Sequence, residues 1–161
     1  MIDERHADLA GVELASELLP DGRQVLLAFL VWGEDGGEAL ELGVWDVAGQ
    51  GRLVRPARPL LLPVGEVDRA RRLAERVVAA LPHLPCSTAG AAVLGREGRL
   101  EAMAVPAPDG TLQATFGWTD AGARLAVPAA AVGSVVRALA EAERELAELG
   151  LVAPVSPAPG P

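Results

Sequence analysis

The stretch RPLLLPVGEVDRARRL, residues 58–73, runs from a short apolar segment through Pro63 into a helix-like pattern. A second stretch, ARLAVPAAAVGSVVRAL, residues 123–139, does the same through Pro128, 65 positions later. After Pro63 the apolar positions are Val67, Ala70, Ala74, Val77 and Leu81; after Pro128 they are Val132, Val135, Leu139, Ala142 and Leu146. The offsets from each proline are the same, and their alternating spacing of three and four marks one face of a helix. Proline suits a helix start, where its missing N–H would be unpaired anyway. Gly150 is the expected stop of the second helix. The pair of phrases reads as one unit used twice.

The segments upstream repeat in the same order. RQVLLAFLVW is β-branched and aromatic enough for a strand, GEDGG is a turn, and EALELGVWDV alternates with Leu40, Leu42 and Val44 on one face. GQGRLVRPA reads as a loop and RPLLLPV as a last short strand, while GVELASELL is open between strand and helix. In the second half AAVLGREG, RLEAMAVPA, TLQATFGWTD and ARLAVPA read as strands separated by turns. The expected fold is α+β: two β-β-β-β-α repeats, about 9–84 and 88–150, in one domain over 1–150. A Pro-rich, unstructured tail is expected over 151–161.

Two details qualify the repeat. Trp45 and Trp118 fall at similar places, yet Trp45 is off the Leu40, Leu42, Val44 face, whereas Trp118 shares a face with Leu112, Ala114 and Phe116. If the tryptophans are equivalent, a bulge must intervene, because a one-residue slip reverses the faces. The strand from Val25 to Trp32 is apolar on both faces. A helix layer covers one, so the other should meet the second repeat, a second subunit or a ligand.

Composition narrows the function classes. The chain has 161 residues, a formal charge of -8, 14 basic residues that are all Arg, and no Lys or Asn. Net negative charge opposes a generic attraction to phosphate backbones. The single cysteine, Cys86, cannot make an internal disulfide. The opening MIDERHADLAG lacks a signal-peptide core, and the apolar run from Val25 to Trp32 is too short to span a bilayer. A cytoplasmic protein without membrane contact is the expectation.

Catalytic patterns are missing. His6 and His83 have no Cys or second His at metal-ligand spacing, so no metal is expected. Cys86 has no identifiable base, and Ser16, Ser87, Ser134 and Ser156 sit in no nucleophile elbow. AGQGR would need a third glycine at Val54 for a dinucleotide fingerprint, and a phosphate loop needs a Lys. No cofactor and no enzyme activity are expected. Charge is uneven: between Gly49 and Ala80 seven arginines face three carboxylates, a segment of +4. These arginines either touch phosphate or pair with the chain's own carboxylates.

The doubled unit resembles the purine-rich-element-binding (PUR) family, and the related single-strand-binding coactivators of the positive-cofactor type. GARLAVPAAAVGSVVRALAEAERELAELG, residues 122–150, looks like the last strand and helix of a PUR repeat, and DGRQVLLAFLVWGEDGGEALELGVWD, residues 21–46, like the preceding strand-turn-strand. The resemblance implies curved sheets each backed by its helix, a homodimer, and binding of single-stranded DNA or RNA. Trp32, Trp45 and Trp118 would stack bases, and Arg52, Arg55 and Arg58 would contact phosphates. Glu38, Glu41, Asp46 and Glu101 depart from the basic strands of that family. The competing reading is an acidic protein-binding module or dimeric scaffold similar to the secretion chaperones. Its order, α-β-β-β-α-β-β-β-α, requires DERHADLAGVELASELL to be helical. The first unit carries Arg69, Arg71 and Arg72 where the second carries Ser134, Val136 and Arg137. Function is expected in the asymmetry between the copies.

Overall fold

The computed structural model describes residues 12–32, 37–56, 58–83, 91–120 and 122–152. His6, Cys86, Ser87, Ser156, most of the GEDGG turn and the Pro-rich tail from residue 153 lie outside these. The first unit comprises β1 (Val12–Leu18), β2 (Gln24–Trp32), β3 (Glu38–Val47), β4 (Leu53–Val54), β5 (Leu60–Pro63) and α1 (Val67–Ala80). The second comprises β6 (Ala92–Glu97), β7 (Leu100–Pro106), β8 (Leu112–Trp118), β9 (Arg124–Pro128) and α2 (Val132–Glu148). All pairings are antiparallel: β1-β2-β3-β4 with β5 also on β3, and β6-β7-β8-β9. The fold is α+β, with two four-strand-and-helix units and the two-residue β4 added inside the loop GQGRLVRPA.

GVELASELL is resolved as a strand over Val12–Leu18. Four strands precede the helix of the second half as well. The order with a leading helix and three strands per half is therefore not the order observed over these residues. Pairing with β2 decides it: Ala15 and Glu17 lie opposite Ala28 and Leu26 on the inner side of the ladder, and Ser16 and Leu18 on the other.

The duplication extends to the register. In β1–β2, Val12 pairs with Leu30, Glu13 with Phe29, and Ala15 with Ala28, with a bulge at Leu14. In β6–β7, Ala92 pairs with Ala104, Val93 with Met103, and Gly95 with Ala102, with a bulge at Leu94. Bulges are specific features of a pairing, so their recurrence at one place marks one unit twice. In β3–β5, Leu42 pairs with Leu60; in β8–β9, Phe116 pairs with Leu125. This makes Val44, and not Trp45, the counterpart of Trp118. The tryptophans are not equivalent, and no register shift separates them.

Both prolines close a strand and lead into a short 3-10 turn, Val64–Glu66 or Ala129–Ala131, before the α-helix begins at Val67 or Val132. The inner faces of the sheets and the stripes of both helices form one apolar core, including Leu26, Leu40, Leu62, Val77, Phe116 and Leu146. All five stripe positions of α2 are buried; in the first copy Leu81 is half-buried and the other four are buried. α2 ends with Gly150 at positive φ, its N–H bonded to the Ala147 carbonyl and the Leu151 N–H to the Leu146 carbonyl. That double closure satisfies two of the last carbonyls of the helix.

Each sheet is backed by a helix, but by the helix of the other repeat. α1 packs on β6 and β7, α2 packs on β1 and β2, and the two helices pack on each other. Arg71 of α1 joins the helices: its Nε donates to Glu143 Oε2 of α2 at 2.6 Å, with Asp68 and Glu75 on its other nitrogens. Glu143 is buried, so this pair resists solvent screening.

Candidate functional site

The six residues expected to bind nucleic acid do not converge. Trp118 lies on the inner side of β8 against the core, and its indole N–H donates to the Leu61 carbonyl at 3.0 Å. It is unavailable for stacking. Trp45 lies on the outer side of the first sheet, half-buried, with its ring tilted against Phe29 at 5.7 Å between centroids. Trp32 is about half exposed, on the same side of β2 as Ala28 and Leu30. Val25 lies opposite Trp45, and Trp32 is seven residues further along β2, about 23 Å at the usual rise per residue. The two rings therefore occupy opposite faces and opposite ends of the sheet.

The arginines are mostly neutralised by the chain itself. Ten of the thirteen described arginines form ion pairs. Arg55 Nη2 sits 2.5 Å from Glu41 Oε1 on the outer side of β3. Arg52 and Arg58 are exposed without an ion pair among the described residues, as is Arg23. The +4 segment is thus largely a set of internal pairs.

The outer face of the first sheet is partly roofed. Gly43 leaves a gap there, and Pro56 of the β4–β5 connection fills it; a Cβ at Gly43 would lie 2.7 Å from Pro56 Cγ. This cover helps leave Leu27, opposite Gly43, only 3 % exposed. In the second sheet Gly117 has the same place, and the stem of Arg124 crosses it, carrying the guanidinium to Thr115 Oγ1 and the Glu101 carbonyl. Both sheets therefore close much of their outer centre with their own chain.

A groove of about 630 Å³ lies open between β1 and α2. Glu13, Ser16 and Glu17 line it from the strand, and Arg137, Glu141 and Arg144 from the helix. Its size is within the range of sites that hold a ligand or a short peptide segment. Arg137 Nε donates to Glu17 Oε1 at 3.3 Å, and Arg144 donates to Glu141. The bond to Glu141 holds the Arg144 guanidinium above its ordinary range, so it stays charged. Among the described residues β1 pairs only with β2 and is an edge strand of its sheet. Its outward N–H and C=O groups are the groove's most directional chemical feature.

No cluster of three or more metal-ligating side chains occurs among the described residues. No described helix is long and apolar enough to cross a membrane. The sequence places Ser16 in no nucleophile elbow and Glu141 on a solvated helix face near Arg137 and Arg144, and gives Glu17 no role. The 65-residue offset already made Glu141 the counterpart of Arg76, but β1 lies 80 positions before its own counterpart, β6, and only the shared bulge aligns them. No protein-family profile matches the chain, and no characterised protein matches it in sequence.

Proposed function

We propose that this chain is a non-enzymatic polypeptide-binding module that receives an extended segment in the groove between β1 and α2. The observation that carries this is that β1, an edge strand among the described residues, opens onto the groove. Strand addition to such an edge is a general mode of peptide recognition, with affinity from main-chain hydrogen bonds and specificity from flanking side chains. The internal neutralisation of most arginines supports a protein partner over a phosphate backbone.

Binding of single-stranded nucleic acid is the second reading. It is favoured by Trp45 on an outer sheet face and by Arg52 and Arg58, which make no ion pair among the described residues. One pair of titrations separates the two. With reduced, alkylated lysozyme as an unfolded polypeptide, calorimetry should give saturable binding. With a twenty-nucleotide oligo-dT, tryptophan fluorescence should stay unquenched at both low and moderate salt. Saturable, salt-dependent oligonucleotide binding with no lysozyme binding would replace the first reading by the second.

A further inference from the structure

The surface that joins the two repeats is built from unlike halves. α1 packs on β6 and β7, while α2 packs on β1 and β2. This reciprocity relates the repeats by an approximate twofold, so each contact between them has a counterpart in which they exchange roles. Arg76 of α1 bonds Glu97 of β6, and the counterparts of these two, Glu141 and Glu17, line one groove between α2 and β1.

At the helix pair, Arg71 Nε of α1 donates to Glu143 Oε2 of α2 at 2.6 Å. The 65-residue offset makes Val136 and Val78 the counterparts. The contact is thus an ion pair on one side of the twofold and two valines on the other. The long Arg71 side chain covers Glu143, which is 7 % exposed; Val78, with only a valine across the pair, is 42 % exposed. Pairing two first repeats would set each Arg71 toward Val78 and lose Glu143. Pairing two second repeats would set each Glu143 toward Val136, and a buried carboxylate without its guanidinium is costly.

Side-chain size follows the same logic where helix meets strand. Leu73 of α1 fills the space beside Gly95, where an added Cβ would lie 3.2 Å from Leu73 Cδ1. The counterparts are Ala138 and Ala15, by the offset of the helices and by the shared bulge of β1 and β6. Both are buried. Leucine against glycine and alanine against alanine fill similar space. Two first repeats would crowd Leu73 against Ala15 twice, and two second repeats would leave Ala138 and Gly95 with a gap twice.

We infer that this surface selects its partner: each repeat favours the other repeat over a copy of itself, through Arg71 with Glu143 and Leu73 with Gly95. Charge and size are independent, and each favours the unlike pair over both like pairs. The partner that the surface fits is the opposite repeat, of the same chain or, by reciprocal exchange, of a second copy. Within one chain the tether raises the effective concentration of the intramolecular partner, so the parent closes on itself.

The test mixes two full-length variants, Arg71→Met and Glu143→Leu. Each alone breaks the ion pair within its own chain and should melt below the parent as a single chain. Exchange between them restores Arg71 on Glu143 at one junction and sets the new Met against the new Leu at the other. Refolded together from urea at high micromolar concentration, they should give a one-to-one complex of two chains by light scattering, with at least half of the lost melting temperature regained. A mixture that stays single-chain and melts as its components do overturns selection by charge. Size is tested within one chain. Gly95→Ala should lower the melting temperature by roughly 2–10 °C. Leu73→Ala should also lower it, and the double variant should lose less than the sum, because alanine against alanine is the contact of the other junction. Losses that add in full overturn selection by size.

Discussion

Gly43 and Gly117 occupy one register position in the two sheets, and each makes room for chain lying over the outer face. At Gly43 the requirement is steric, since Pro56 Cγ would meet a Cβ at 2.7 Å. Gly43→Ala should therefore cost about 1–3 kcal/mol, the usual range for overpacking. Gly49→Ala, with nothing within 4 Å of the added carbon, should stay within about 0.5 kcal/mol of the parent. Urea unfolding of both variants checks this. Residue identity in the sequence conveyed little of it: Gly43 sits in an ordinary alternating strand, and Pro56 reads as a loop residue. Only the path of the β4–β5 connection brings them together. The tryptophans illustrate the same limit. Trp45 and Trp118 look equivalent in GVWDVAG and FGWTDAG, but the pairing partners Val25 and Leu100 assign them to opposite faces.

The helices and strands were far more legible. Spacing from Pro63 and Pro128 located both helices and their buried stripes, because a 3.6-residue period is written directly in the order of apolar residues. β2 followed from its β-branched and aromatic content, and β3 from alternation. β1 stayed ambiguous because VELASEL fits both periods, and the bulge at Leu14 interrupts its alternation. Which sheet each helix covers had no local signal at all. The exchange places Arg71 and Glu143, 72 positions apart, in contact at the helix pair. Removing one partner leaves the other charged and partly buried, though Arg71 retains Asp68 and Glu75. Glu143→Ala should cost roughly 1–3 kcal/mol. Replacing both, Arg71→Met with Glu143→Leu, should recover most of it, since an apolar pair of similar volume avoids the desolvation cost. A double-mutant cycle by thermal unfolding measures this; strictly additive losses would show that the pair is not coupled.

For the molecule as a whole, the exchange of helices means that neither repeat contains its own complete core. Residues 1–84 expressed alone lose α2, which covers β1 and β2. That fragment should be unfolded or self-paired, and mixing it with residues 85–161 should restore the dispersed amide spectrum of the full chain. A folded, monomeric single repeat would contradict the exchange. The repeat itself builds the fold, and the copies differ in detail: α2 carries Glu141 where Arg76 of α1 bonds the Arg96 carbonyl. The sequence pointed to asymmetry between the copies at Arg69, Arg71 and Arg72, and Arg71 is the residue that joins the two helices. The central claim is that β1 and the facing side of α2 receive an extended polypeptide segment. Its most direct test is a nitrogen-15 amide titration with reduced, alkylated lysozyme, comparing two strands that share one register. Shifts confined to residues 12–18 and the facing turns of α2, with residues 92–97 unmoved, are the predicted result. Equal shifts at both edges, or shifts confined to Phe29, Trp45 and their neighbours on the outer face, would contradict it.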